Sequence, residues 1–408
     1  DHFRIKGTKI YITYGDHDLT ENIIHLVLAR LPGAPEGTKG ISLFAVPKFL
    51  VKDDGSIGER NEVHCLSLEE KLGIHASPTA VMSYGEDKGA VGYLVGEENR
   101  GLMHMFTMMN NARHAVGREG LAISESAYQL ALQYAMERKQ GNVIGTATQA
   151  TIVEHSDVKR MLMRMKALTE AMRGLTYTCA YAFDVAERAT DEQECSRASR
   201  RGDLLTPVVK GWCTDNAQIV ASLGVQIHGG MGFVEETGAA QYMRDARILP
   251  IYEGTNGIQA LDLMGRKTLR DGGQAVSELF EDMENTLSRL GKLDLTNIET
   301  AFRESLGHLK EVLDWIKSNA GNNTLCNSAA SHYLELMGIT CGGWMLAKSA
   351  IVSADQLSQA PTDVKFYERK MITVDFYAQQ VMPETGSLKD KIISGSQLIS
   401  DMQLEAFA

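Results

Sequence analysis

Residues 246–259 read Ala246-Arg247-Ile248-Leu249-Pro250-Ile251-Tyr252-Glu253-Gly254-Thr255-Asn256-Gly257-Ile258-Gln259 and set one carboxylate directly before a helix start. Gly254 permits close backbone approach, and Thr255 is a residue type that caps helices. Ile251 and Tyr252 supply a partly apolar wall. Beside such a wall a carboxylate gains basicity through desolvation, which suits it to general-base chemistry. The same carboxylate also serves as a plain charge at the positive end of a helix. On spacing alone, that bland use is the commoner one.

Three further segments carry residue types that contact phosphates or rings. Val225-Gln226-Ile227-His228-Gly229-Gly230-Met231-Gly232-Phe233 is glycine-rich, a weak signal that is often only a tight turn. Leu132-Gln133-Tyr134-Ala135-Met136-Glu137-Arg138-Lys139-Gln140 ends a helical pattern on a basic residue, which is commonly a surface charge. Lys6-Gly7-Thr8-Lys9-Ile10-Tyr11-Ile12-Thr13 has the alternation of a strand, where an aromatic is commonly core. The six cysteines stand singly, without a CxxC pair, so no metal site is expected. Scattered thiols fit a reducing compartment.

The elements that must position these residues divide the chain in three. Residues 1–97 are strand-rich, with a predicted hairpin of Phe3, Ile5, Ile10 and Ile12 around residues 6–9, strands at 22–31, 40–46 and 90–95, and turns at Asp53-Asp54-Gly55 and Gly85-Glu86-Asp87. From Gly101 the apolar spacing becomes three and four, predicting helices over 101–134, 155–188 and 207–223, and a fourth after Thr255. Residues 98–268 therefore predict a four-helix bundle. The polar run 191–202 reads as a loop. Residues 269–408 are helical again, with stripes at Leu279, Met283, Leu287 and Leu290 and at Leu306, Leu309, Leu313 and Ile316, and a long helix over 362–382.

Composition is that of an ordinary globular protein, 44% apolar and 23% charged. A net charge of −11 argues against a nucleic-acid partner. No uninterrupted apolar stretch of membrane-spanning length is evident, so no membrane insertion is expected.

Taken together, the motifs resemble the acyl-CoA dehydrogenase family. Tyr252-Glu253-Gly254-Thr255-Asn256-Gly257-Ile258-Gln259 is similar to its catalytic signature, 225–233 to its glycine-rich loop, Gln241-Tyr242-Met243-Arg244-Asp245-Ala246-Arg247 to its Arg-Asp-Ala-Arg segment, 132–140 to its flavin-contacting helix end, and 6–13 to its strand pair against the flavin. The five occur in the family's order. The likeness covers residues 3–265 in detail. The tail resembles the extra helical domain of the long subgroup that includes 3-methylthiopropanoyl-CoA dehydrogenases.

The resemblance implies a mainly α fold with a β-barrel domain, a four-helix bundle and a C-terminal helical domain. It implies an FAD enzyme in which Glu253 removes the α-proton of an acyl thioester while the β-hydrogen leaves as hydride to flavin N5. FAD contacts are expected from Tyr11, Thr13, Arg138, Gln140, Gln226, Gly229, Gly230, Thr255 and Asn256, with Arg138 and the glycine-rich loop serving a partner subunit's flavin. Substrate contacts are expected from Asn110, Arg113, Tyr252 and Gly254. An electron-transfer flavoprotein as acceptor, a homodimer or homotetramer, and a bacterial cytoplasmic or mitochondrial-matrix location complete the expectation. Two departures stand out. Relatives have Phe-Gly where Gln140-Gly141-Asn142 stands, and often Trp where Tyr11 stands. The chain opens like a strand entered midway, at Asp1-His2-Phe3-Arg4-Ile5, and is expected to be a fragment without the family's amino-terminal helical domain. Rival readings are an acyl-CoA oxidase, a non-catalytic flavoprotein of this fold that binds nucleic acid, and a helical interaction module.

Overall fold

The computed structural model describes residues 2–143, 145 and 147–407. It contains two compact units, residues 1–112 and 113–408. Asp1 lies outside the described residues.

In the first unit the strands are β1 (Phe3–Ile5), β2 (Gly7–Thr13), β3 (Ile24–Arg30), β4 (Ile41–Pro47), β5 (Phe49–Val51), β6 (Ile57–Arg60), β7 (Val63–Leu68), β8 (Thr79–Tyr84) and β9 (Ala90–Val95). β3 shows the half-buried period of two, with His25 and Val27 inward and Ile24 and Leu26 outward. β4 lies between β3 and β9 and is buried along most of its length. The expected hairpin at 3–12 is not formed. β1 pairs with β9, and β2 pairs with β8 in a different sheet. Only Lys6 separates β1 from β2, too short for even a two-residue hairpin turn.

The strands make a four-stranded sheet (β1-β9-β4-β3), a three-stranded sheet (β2-β8-β7) and the small pair β5-β6. Among the described residues no pairing closes them into a barrel. Both larger sheets feed one apolar core around Val27, Phe44, Val46, Ala80 and Met82. A buried hydrogen bond of 2.9 Å between the Tyr84 hydroxyl and His25 Nδ1 ties one sheet to the other.

α1 (Gly101–Glu137) carries the chain into the second unit, followed by β10 (Lys139–Asn142), β11 (Gln149–Thr151), α2 (Ser156–Arg188), α3 (Glu192–His228), α4 (Ala239–Ala246) and α5 (Asn256–Leu261), which continues as a π-helix over Asp262–Leu269. Small residues allow α1 to lie close on α3. A Cβ at Gly117 would fall 2.4 Å from Val209. Arg173 of α2 pairs with Glu125 of α1 at 2.6 Å.

α3 differs from expectation. It begins at Glu192 rather than near Pro207, and the run expected as a loop is helical from residue 192 on. Asp191 caps the helix by accepting from the Glu194 N–H at 2.8 Å. The charges of that run are spent on α6 (Gln274–Leu290), through Arg197 and Arg201 to Asp282 and Arg200 to Glu278, at 2.7–3.1 Å. Pro207 sits inside the helix and is buried.

The remaining helices are α7 (Thr296–Ser318), α8 (Asn323–Ser358), α9 (Val364–Gln380), α10 (Glu384–Ile393) and α11 (Ser396–Ser400). Both predicted apolar stripes, on α6 and α7, are buried in the same core as Leu204, Val208 and Trp212 of α3. Burial of this kind contributes roughly 1.5–3 kcal/mol per large side chain. α8 is long and apolar enough to cross a membrane, with a mean hydropathy of 1.2, but 83% of that window is buried by the protein's own helices. Its place in the core explains its composition.

Candidate active site

The chain leaves α4 at Ala246 and returns as α5 at Asn256. Between them the backbone folds tightly, with Leu249 N–H on the Ala246 carbonyl, Tyr252 N–H on that of Ile248, and Asn256 N–H on that of Pro250 at 2.9 Å. The reversal puts two consecutive residues in the left-handed region, Glu253 at φ 55° and Gly254 at φ 85°. For Gly254 this is unstrained, whereas a non-glycine residue there bears a cost and marks a site where the surroundings impose the conformation. Glu253 is exposed, its carboxylate makes no ion pair and its N–H meets no acceptor among the described residues.

Tyr252 anchors one side of the turn. Its ring packs on a small core of Val116, Ala217, Ala221, Ala246 and Leu249, and its hydroxyl donates to Glu119. Burial first, then the Glu119 carboxylate, push the phenol pKa well up.

Lys210 of α3 holds the other side. It is fully buried, and its ammonium donates to the Gly254 carbonyl at 2.8 Å and to Asn256 Oδ1 at 2.9 Å. Burial draws its pKa down to about 8. Asn256 Nδ2 donates back to α3, to the Gly211 carbonyl at 3.0 Å and Asp215 Oδ1 at 2.8 Å. The Gly254 carbonyl also accepts from Gln259 Nε2 at 3.2 Å. Beneath lies Arg113, 4% exposed, with its guanidinium 3.6 Å from the buried carboxylate of Asp262, which Arg266 also approaches at 2.5 Å.

The structure therefore brings together Glu253, Tyr252, Gly254, Thr255, Asn256 and Arg113. Thr255 caps α5 by accepting from the Ile258 N–H at 3.3 Å, and its hydroxyl donates to no group among the described residues. Asn256, expected at the cofactor, sits in the turn with its amide bonded to α3. Arg113, expected at the substrate, lies in the floor of the site.

A second group stands at the end of the bundle. Tyr134 stacks on His228, ring centroids 4.4 Å apart, which sets the end of α1 beside the end of α3. Arg138, Gln140, Gln226, Gly229 and Gly230 are all exposed there, and Arg138 pairs with no carboxylate among the described residues. A Cβ at Gly229 or Gly230 would meet nothing within 4 Å. Gln226 is 11 residues beyond Asp215 on α3, about 16 Å at helical rise. In the first unit, Tyr11 stands 68% exposed at φ 60° beside an irregularity in the β2–β8 register, Thr13 is exposed opposite Thr79, and Asn110 is half-buried on α1.

Sequence reasoning missed Lys210, Gln259, Asp262 and Glu119. The one available signal was Lys210 itself, a lone charge within the apolar run from Leu204 to Cys213.

Two family descriptions match the chain, "Acyl-CoA dehydrogenase, C-terminal domain" over residues 99–268 and "Acetyl-CoA dehydrogenase C-terminal like" over 279–403. Fold and site thus define a helical-bundle domain of acyl-CoA dehydrogenase type. The chain is 48% identical over 98% of its length to 3-methylmercaptopropionyl-CoA dehydrogenase of Ruegeria pomeroyi, covering 68% of that protein. It is 34% identical over 94% of its length to a butyryl-CoA dehydrogenase of Syntrophomonas wolfei, covering 64% of it. Among solved structures, Caenorhabditis elegans ACDH-11 in complex with C11-CoA superposes with a TM-score of 0.76 at 23% identity, over 96% of this chain and 63% of that one. This chain belongs to the acyl-CoA dehydrogenase family and spans about two thirds of the length of these relatives.

Proposed function

We propose that the protein is an FAD-dependent acyl-CoA dehydrogenase, oxidising an acyl-CoA to the 2-enoyl-CoA with Glu253 as base. The observation that carries the reading is the Glu253 turn: an exposed, unpaired carboxylate and an unspent backbone N–H on one left-handed residue, held from both sides by Tyr252 and Lys210.

The residues present fit a flavin dinucleotide. An Arg138 guanidinium that pairs with no carboxylate among the described residues, open backbone at Gly229 and Gly230, and an 89% exposed ring at Phe233 suit diphosphate and ring contacts at the bundle end. The Thr255 hydroxyl offers a donor beside the base. Bound FAD supplies the two-electron acceptor. The chain's own part is to move one proton and stabilise one charge. The Glu253 carboxylate takes the α-proton, and the electrons of that C–H bond enter the new double bond as the β-hydrogen departs with its pair. Negative charge developing on the thioester oxygen is met by the Glu253 N–H, a backbone donor with no acceptor among the described residues.

Several finer features belong to the same proposal. Electrons pass to an electron-transfer flavoprotein, and the protein assembles as a homodimer or homotetramer in which Arg138 and the Gln226–Gly230 loop face a partner's flavin. Six free cysteines support a reducing compartment, the cytoplasm in a bacterium.

The test is anaerobic mixing of the flavin-loaded protein with an acyl-CoA series beginning with the 3-methylmercaptopropionyl and butyryl thioesters. Bleaching of the flavin with formation of the 2-enoyl-CoA is expected. No bleaching across the series overturns the assignment, and hydrogen peroxide formed stoichiometrically under air makes the protein an oxidase.

A further inference from the structure

Lys210 is a charge with no evident reason to be where it is. α3 is buried from Leu204 through Thr214, and an ammonium there has given up its hydration. Such burial is costly unless each donor finds a partner, and a methionine would fill the same space at no electrostatic cost. The price shows in the pKa, drawn down to about 8 chiefly by burial. Among the described residues Lys210 forms no salt bridge in return. Its two hydrogen bonds go to Gly254 O and Asn256 Oδ1, both just beyond Glu253. We propose that Lys210 is a positioning residue for Glu253: by gripping the Gly254 carbonyl and the Asn256 amide it fixes the left-handed turn that presents the base.

The geometry supports this from several directions. Two consecutive left-handed residues, one of them not glycine, do not hold themselves. The turn is closed on one side by Asn256 N–H on the Pro250 carbonyl, and on the other by donors to the Gly254 carbonyl, 2.8 Å from Lys210 and 3.2 Å from Gln259. Gln259 sits on α5 and moves with the turn. Lys210 sits on the rigid middle of α3 and so ties the turn to the bundle. Asn256 returns the tie by donating to Gly211 and Asp215 of the same helix. Without Lys210, the turn keeps its anchor at Tyr252 and the Asn256 donors to α3, but the Gly254 carbonyl, next to Glu253, loses its only direct tie to that helix among the described residues.

This inference rests on Glu253 being the base, and the experiment separates the two. Flavin-loaded Lys210→Met, Lys210→Gln and Glu253→Gln proteins are mixed rapidly with an acyl-CoA that reduces the wild type, and flavin reduction, half-saturating substrate concentration and melting temperature are recorded. A displacement of the base by about 1 Å costs roughly 100-fold in rate. Lys210→Met is expected to reduce its flavin about 100-fold more slowly, with half-saturation and melting temperature unchanged. Lys210→Gln, which keeps one donor, is expected to fall between. A wild-type reduction rate in either folded Lys210 variant, or a rate loss that only tracks a fall in melting temperature, overturns the proposal. If Lys210→Met does not fold, Lys210→Gln alone decides by the same criterion. Wild-type reduction in Glu253→Gln removes the base assignment itself, whereas its loss there beside a wild-type rate in Lys210→Met removes only the role of Lys210.

Discussion

Replacing Glu253 by glycine and by alanine gives an expected stability order opposite to the usual one. Both variants lose the carboxylate, and only glycine relieves the backbone at φ 55°. A left-handed conformation costs an L-residue roughly 1–2 kcal/mol. Glycine returns about 0.4–1 kcal/mol of that through the greater freedom of its unfolded chain. Among the described residues the Glu253 side chain makes no hydrogen bond or ion pair whose loss would enter the comparison. The difference is thus about 0–1.6 kcal/mol in favour of Glu253→Gly, the interval between those two terms. In a helix interior the same exchange favours alanine by roughly 0.5–1 kcal/mol. Denaturant unfolding followed by far-UV circular dichroism reads the order directly, through midpoints at constant slope. Both variants are expected to be inactive, with Glu253→Gly at least as stable as the wild type. If Glu253→Ala is the more stable of the two, the turn is not strained at Glu253 and the argument from conformation to function fails.

Two further outcomes follow from the core and from buried histidines. Phe302→Ala, at a fully buried position of α7, is expected to cost roughly 3–5 kcal/mol by calorimetry or denaturant titration, while any fraction that remains folded turns over normally. Normal stability would show that the C-terminal helices do not share the bundle's core. His25 and His114 both have pKa values lowered from 6.5 by burial, so the unfolded chain binds their protons first as pH falls. Their contribution is full above about pH 6.5 and is lost as pH drops below it. NMR titration should place the His25 midpoint below the ordinary 6.5, and a normal titration there would contradict its burial against Tyr84.

Much of this architecture was readable in the residues, and the failures are local. Period-3.6 stripes located α6 and α7 because each buries one face; alternation located β3 but pointed to Ile24, Leu26 and Leu28 as its shared face, whereas His25 and Val27 are the buried residues and Ile24 and Leu26 are exposed. The hairpin at 3–12 failed because alternation identifies strands without identifying partners; β1 and β2 are joined by one residue and find β9 and β8 instead. The loop at 191–202 failed because a charged run reads as solvated, whereas its arginines meet carboxylates of α6 that lie some 80 residues away. At the site, Tyr252 to Asn256 were legible as one turn. Lys210 was not, since its partners lie 44 and 46 residues along the chain and only the fold brings them together.

The central claim is that Glu253 is the base, and rapid mixing of flavin-loaded Glu253→Gln with an acyl-CoA tests it most directly. Glutamine keeps the size and hydrogen bonding of the side chain and cannot accept the proton. Loss of a general base costs on the order of 100- to 10,000-fold, so acyl-CoA should still bind and perturb the flavin spectrum while bleaching slows by at least that lower factor. Bleaching at the wild-type rate would contradict the account.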